Sequence, residues 1–172
     1  MFPIKAKEDL PVSQILVHSV AVRGQLGPLT VWVSKANITA NNNNAAAAAA
    51  TEADNNNRKQ YRFPLQKRYW TKIYQRTHAP SRHAYQWLDF SNQPVVLQPG
   101  QVRALYIHST LDSDEAIVYD NAQARPWHYA ATAARVQQQA QARYQDGFVS
   151  VWPGKAHLSP EPFGQTPIWG WG

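Results

Sequence analysis

Apolar and polar residues alternate in short runs along most of the chain, and turn-forming residues separate the runs. The pattern is clearest between Pro94 and Asn121. There the apolar run Val95–Leu97 is followed by Gln98-Pro99-Gly100-Gln101, which has the chemistry of a type II turn, because proline presets φ and glycine accepts a positive φ. A strand from Val102 to His108 comes next, and Ala116–Tyr119 forms a third run. The pattern predicts an antiparallel meander at the centre of an all-β domain.

Alternation also assigns side chains to faces in the strands on either side of the meander. In the strand Leu29–Val33, it separates Leu29, Val31 and Val33 from Thr30 and Trp32. In the segment Tyr69–Tyr74, it places Trp70, Lys72 and Tyr74 on one side. In the strand from His83 to Phe90, it separates Tyr85, Trp87 and Asp89 from Ala84, Gln86, Leu88 and Phe90.

Two segments break this pattern and are predicted to be low-complexity surface insertions. Residues 38–60 are rich in Asn and Ala, and residues 122–146 are rich in Ala, Gln and Arg. The second composition favours helix but offers few large apolar side chains. Without them, the remaining strands predict a single domain over residues 1–172, an antiparallel β-sandwich or jelly roll. The end at Trp169-Gly170-Trp171-Gly172, without a charged tail, indicates truncation at the C-terminus.

The order of these signals resembles the PHR-type β-sandwich found in some ubiquitin-ligase and BTB-adaptor proteins. The shared segments are FPIKAKEDLPVSQILVH, LTVWV, WTKIYQ, VVLQPGQVRALYIHS, AIVYDN and VWPGKAHLSPEPFG. They cover most of the chain outside the two insertions, and the chain departs from the family pattern at those insertions and at its early end. The resemblance implies a non-catalytic binding module and carries over no catalytic residue.

Composition removes several function classes. The 172 residues contain no Cys, so disulfides, thiolate metal sites and cysteine nucleophiles are excluded. No apolar run approaches the 18 or so residues of a membrane span. The N-terminus lacks the pattern of a signal peptide, and together with the absence of Cys this favours an intracellular location. The net charge of +6 allows acidic partners but also suits ordinary solubility.

Candidate catalytic and metal-binding residues do not form a recognisable constellation. Six His residues are scattered along the chain, without the spacing of a zinc motif. His108, Ser109 and Asp112 are the residue types of a triad, but neighbours in sequence do not supply its geometry. The carboxylates that follow, including Asp114, do not match an EF-hand loop. We therefore expect no enzyme activity, no metal site and no cofactor.

The sequence instead predicts a module that binds a protein partner through three longer loops. The loops are Arg23–Pro28, His108–Glu115 and His157–Gly164. The predicted partner-binding residues in these loops are Arg23, His108, Asp112, Asp114, His157 and Phe163. For Phe163 and Trp169, an equally good interpretation is that the two rings plug the end of the sandwich.

Two other ligand classes stay open. Exposed Trp and Tyr side chains could stack on sugar rings, as in carbohydrate-binding β-sandwich modules. Residues 58–82 hold eight Lys or Arg interleaved with aromatic residues, a composition that could bind nucleic acid. The basic residues also fit the solvated flanks of a strand, and this structural interpretation is favoured. Finally, Asn37-Ile38-Thr39 matches the N-glycosylation pattern.

Overall fold

The computed structural model describes residues 1–38, 63–111, 115–118, 144–152, 154, 156–157, 159–164 and 168–169. Short strands dominate this part of the chain. In order they are β1 (Phe2–Ala6), β2 (Ile15–Val17), β3 (Ser19–Gly24), β4 (Gly27–Ser34), β5 (Trp70–His78), β6 (Ser81–Asp89), β7 (Val95–Leu97), β8 (Val102–Ser109), β9 (Tyr144–Gln145), β10 (Val149–Val151), β11 (Ala156–His157) and β12 (Ile168–Trp169). One turn of 3₁₀ helix, Lys67–Tyr69, leads into β5.

The strands form antiparallel pairs in two layers. One layer is a six-stranded sheet with the order β5-β4-β8-β1-β10-β9. In the other, β2 pairs with β7 and β3 pairs with β6. The amide of Phe90 donates to the carbonyl of His18 at 2.8 Å and so connects these two pairs. We call β2, β3, β6 and β7 the second layer. A small pair, β11 with β12, completes the strands of the described residues.

The hydrophobic core lies between the six-stranded sheet and the second layer. Leu29 and Val31 on β4 and Leu105 on β8 face it from the sheet, and Leu88 on β6 and Leu97 on β7 face it from the second layer. None of these five side chains has measurable exposed surface. Burial of such aliphatic side chains is the main source of stability in a sandwich. The predicted all-β sandwich is therefore confirmed.

The turn at Gln98–Gln101 has the predicted form, but the meander around it is wrong. Gly100 has φ 75°, and the Gln101 amide donates to the Gln98 carbonyl at 3.0 Å. The turn nevertheless joins strands of different layers, since β7 pairs with β2 while β8 pairs with β1 and β4. In residues 116–118, the described part of the predicted third run, the chain bends instead of forming a strand.

A β-bulge overturns the predicted alternation in the segment Tyr69–Tyr74. Val31 pairs with Tyr74, but the next residue, Trp32, pairs with Lys72. One extra residue on β5 reverses the faces on either side of it. Trp70 therefore packs with Trp32 on the outer face of the sheet, whereas Tyr74 enters the core between the layers.

Almost all of the two predicted insertions lies outside the described residues. At the start of the first, Ile38 is buried against Trp32 and Tyr106. Asn37 just before it accepts a 2.6 Å hydrogen bond from the Val102 amide through its side-chain oxygen, which gives this residue a structural role. Near the end of the second insertion, β9 pairs with β10. Among the described residues, no helix has the length and apolar character needed to cross a membrane.

Candidate functional site

The most exposed aromatic side chains of the described residues lie on the outer face of the second layer. On β3 and β6, Val22 and Leu88 point into the core, so alternate residues point outward. Tyr85 and Trp87 are 62% and 64% exposed. We call these two rings, together with Arg23 on the neighbouring strand, the aromatic face.

Strand geometry places the groups of the aromatic face side by side. Tyr85 and Trp87 are two positions apart on one strand, which separates their Cα atoms by about 7 Å. Trp87 is paired across the strands with Ala21, whose methyl group is too small to cover the indole. The guanidinium carbon of Arg23 lies 5.8 Å from the centre of the Tyr85 ring, within the range of a cation–π contact. The result is a flat surface of two rings and one cation.

Charged residues border this surface. At one end of β6, the amide of Ser91 donates to the Asp89 carboxylate at 2.8 Å, and this bond lowers the pKa of that carboxyl group. At the other end, Arg82 forms an ion pair with Glu115. The aromatic face therefore has both apolar and charged groups with which to recognise a ligand.

Two of the three predicted loops meet beside the aromatic face. The amides of Gln25 and Leu26 donate to the carbonyls of Glu115 and Ala116 at 3.0 and 2.9 Å. The approach is so close that a Cβ atom at Gly24, which has φ 142°, would lie 2.6 Å from the Ala116 oxygen. Arg23 thus lies next to residues of the second loop. The predicted site residues Asp112 and Asp114 lie outside the described residues.

His108 and Phe163 occupy a different place, the outer face of the six-stranded sheet. The His108 side chain is only 4% exposed, and its Nε2 lies 2.8 Å from the carbonyl oxygen of Ser159. The Phe163 ring is half-buried, with its centre 5.4, 5.7 and 4.9 Å from those of Trp32, Trp70 and Tyr106. We call these four rings the covered cluster. Both predicted site residues therefore take part in packing the 159–164 loop onto the sheet.

His157 and Trp169 are placed by their backbones alone. His157 lies on β11 and pairs with Ile168, and Trp169 pairs with Ala156. Their side chains lie outside what the structure describes. A site shared by all three loops stays a prediction.

Four of the five basic residues of 63–82, the described part of the predicted nucleic-acid segment, lie over aromatic rings of the protein itself, and the fifth, Arg82, pairs with Glu115. The ammonium groups of Lys67 and Lys72 lie 5.4 and 5.9 Å from the Trp32 ring. The guanidinium groups of Arg68 and Arg76 lie 4.9 and 5.9 Å from the rings of Tyr69 and Tyr74. These contacts favour the interpretation of the basic residues as flanks of β5.

Sequence reasoning assigned Tyr85 and Trp87 to the correct face of their strand but did not single them out. The signal was available, since both rings share their side of β6 with Asp89. Large aromatic residues on the polar face of an amphipathic strand are candidates for ligand contact.

The described residues contain no group of three or more His, Asp or Glu side chains arranged to hold a metal ion. Comparison with protein-family models, curated proteins and solved structures finds no match for the chain.

Proposed function

We propose that this domain is a non-catalytic binding module that captures a protein partner through the aromatic face. The observation that carries the proposal is the exposure of Tyr85 and Trp87, at 62% and 64%, on the regular strand β6. Rings of this size are normally buried in a core or in an interface. Their exposure on an ordered strand is best explained by a ligand.

The residue types of the aromatic face favour a protein ligand. Trp, Tyr and Arg are the residues most enriched among those that dominate the energy of protein interfaces. All three occur here within two paired strands, with Arg23 already placed over the Tyr85 ring. The surface is prearranged, so little side-chain entropy would be lost on binding. The resemblance to PHR-type sandwiches leads to the same expectation of a module without turnover.

A carbohydrate is the second candidate, and the spacing of the two rings favours it. Side-by-side aromatic rings on a flat sheet offer a stacking surface for consecutive sugar units. The Asp89 carboxylate at the border of the face and the Arg23 guanidinium within it are groups that can bond hydroxyls.

The test measures binding with one informative variant and one matched control. Trp87→Ala removes the more exposed ring, and Phe148→Ala removes a ring that is 50% exposed outside the second layer. A partner is first identified by crosslinking in cells, and its affinity for each purified protein is then measured by calorimetry. We expect Trp87→Ala to weaken binding by ~2 kcal/mol or more, as for a hot spot, and Phe148→Ala to have little effect.

The same proteins are applied to a glycan array. Glycan binding that is lost in Trp87→Ala and kept in Phe148→Ala would replace the protein ligand by a sugar. Equal binding by both variants, to any ligand, would show that the aromatic face is not the site.

A further inference from the structure

A cleft opens between the layers, at the end of the sandwich where β4 finishes and β5 and β8 begin. Its volume is about 420 Å³, within the range of small-molecule sites. Its apolar lining comes from Val33, Ile73 and Pro94, and its polar lining includes Lys35, Gln93 and Arg103. Pro94 and Gln93 belong to the loop between β6 and β7, so both layers contribute to the cleft.

Arg103 is the central polar group of the cleft, and the backbone fixes its orientation. Its Nη1 donates to the carbonyl oxygens of Ser34, at 2.6 Å, and Lys35. Both bonds use one nitrogen, which leaves the opposite edge of the guanidinium, formed by Nε and Nη2, for another acceptor. Nε is buried and has no hydrogen-bond partner among the described residues.

The described lining of the cleft also carries more positive than negative charge. Lys35 and Arg103 both line it, and none of the described residues that line it is an Asp or a Glu. A charged group that is removed from water normally has a partner of opposite charge. Burial lowers the pKa of Arg103 from its usual value, as expected for a guanidinium that is partly removed from water.

We infer that this cleft binds a carboxylate carried on a short apolar group. Nε and Nη2 of Arg103 are parallel donors on one edge of the guanidinium, which match the two oxygens of a carboxylate, and the buried Nε lacks the acceptor that such a ligand would supply. Lys35 adds a second cation at the rim, and the Val33, Ile73 and Pro94 side chains provide an apolar surface for the carbon chain. None of the residues that line the cleft belongs to the aromatic face, and the inference does not depend on the proposed function.

The probe is isovalerate, a small branched carboxylate, with isovaleramide as its uncharged counterpart of nearly equal shape. Both are titrated into the ¹⁵N-labelled protein, and the Nε–H resonance of Arg103 is followed by NMR. We expect isovalerate to shift this resonance in a saturable manner and isovaleramide to bind at least about tenfold more weakly, because it cannot accept a charge-assisted bidentate pair. Equal shifts with both compounds, or none with either, would overturn the inference.

Two variants distinguish an effect on isovalerate binding from an effect on folding. Lys35→Gln removes an exposed charge without touching the core, and we expect it to weaken isovalerate binding several-fold. Arg103→Lys keeps the charge but loses the planar pair of donors, so binding is expected to fall by about tenfold or more if the variant folds. If Arg103→Lys does not fold, Lys35→Gln decides, and unchanged affinity in a folded Lys35→Gln protein contradicts the inference.

The source of the carboxylate is distinguished by a second pair of probes. A short peptide that ends in valine with a free carboxylate is compared with the same peptide ending in an amide. Tighter binding of the peptide acid than of isovalerate would assign the cleft to a chain terminus, and weaker binding would assign it to a small carboxylic acid. Both results support a carboxylate site, whereas equal binding of peptide acid and amide argues against one.

Discussion

The two outer faces of the sandwich both carry aromatic side chains, but only one of them is covered by other described residues. On the six-stranded sheet, Trp32 and Trp70 are 6% and 3% exposed, because the loop 159–164 and nearby lysines lie over them. On the second layer, Tyr85 and Trp87 sit on a strand of similar length and stay largely open to solvent. The difference lies in what the chain places above each face, not in the strands themselves.

This comparison shows why the aromatic content of a sequence is a poor guide to its binding site. The covered cluster uses its rings as a small second core, in edge-on contacts that stabilise an irregular loop. The aromatic face has no such cover among the described residues. The rings of the covered cluster contribute to stability, whereas the rings of the aromatic face are available to contact a ligand.

The largest expected difference between the two faces is in stability. Trp70→Ala should lower the free energy of unfolding by about 3–5 kcal/mol, because it leaves a cavity beside Tyr106 and Phe163 and removes the bond from the indole nitrogen to the Pro64 carbonyl. Trp87→Ala should change it by less than about 0.5 kcal/mol, as is usual for an exposed position. Urea unfolding followed by circular dichroism measures both. Similar losses from the two variants would remove the distinction between the faces.

A smaller difference should appear at high pH. Burial raises the pKa of Tyr106 from 10.0 to about 12. The folded state therefore holds this proton more tightly than the unfolded state, so the stabilisation is complete below pH 10 and is lost as the pH rises to about 12. We expect the wild type to lose up to ~2–3 kcal/mol more than Tyr106→Phe over this interval. Urea midpoints at a series of pH values test this, and parallel pH curves for the two proteins would contradict it.

The sequence predicted the fold correctly where the alternation of apolar and polar residues within a single strand was enough to assign its two faces. Leu29, Val31 and Trp32 lie on the predicted faces because the extra residue of the bulge is on β5, so β4 itself keeps its alternation. The predicted meander was wrong because the turn at Pro99 and Gly100 has the same sequence signature whether it joins two paired strands of one sheet or two strands of different layers. Local residues do not encode that choice. The bulge near Ile73 likewise arises from pairing with a strand more than 35 residues earlier in the chain.

The candidate site was less predictable than the fold. Alternation showed that Tyr85 and Trp87 point away from Leu88, but whether another segment covers them depends on contacts distant in sequence. The same limit applies to Phe163, which was predicted either to contact a partner or to plug the end of the sandwich. Its ring packs against Trp32, Trp70 and Tyr106 on the outer face of the sheet, residues that are more than 50 positions away in the sequence.

The smallest predicted effect concerns how the cover of the six-stranded sheet is held. Phe163 has φ 63°, a left-handed conformation that is costly for a residue with a Cβ atom. Phe163→Ala and Phe163→Gly both remove the ring, so both should destabilise the protein. They differ only in the backbone, and the glycine variant should be the more stable of the two by roughly 0.5–1 kcal/mol, because glycine accepts this φ without strain.

The same pair of substitutions at Phe148 provides the control. Phe148 does not have a positive φ, so alanine should be the better replacement there, since glycine loses more conformational entropy on folding. Opposite orders of stability at the two positions would show that the loop is held by its ring contacts against an unfavourable backbone conformation. If alanine is the better replacement at Phe163 as well, the loop has another conformation in solution, and the cover over Trp32 and Trp70 would no longer separate the two faces.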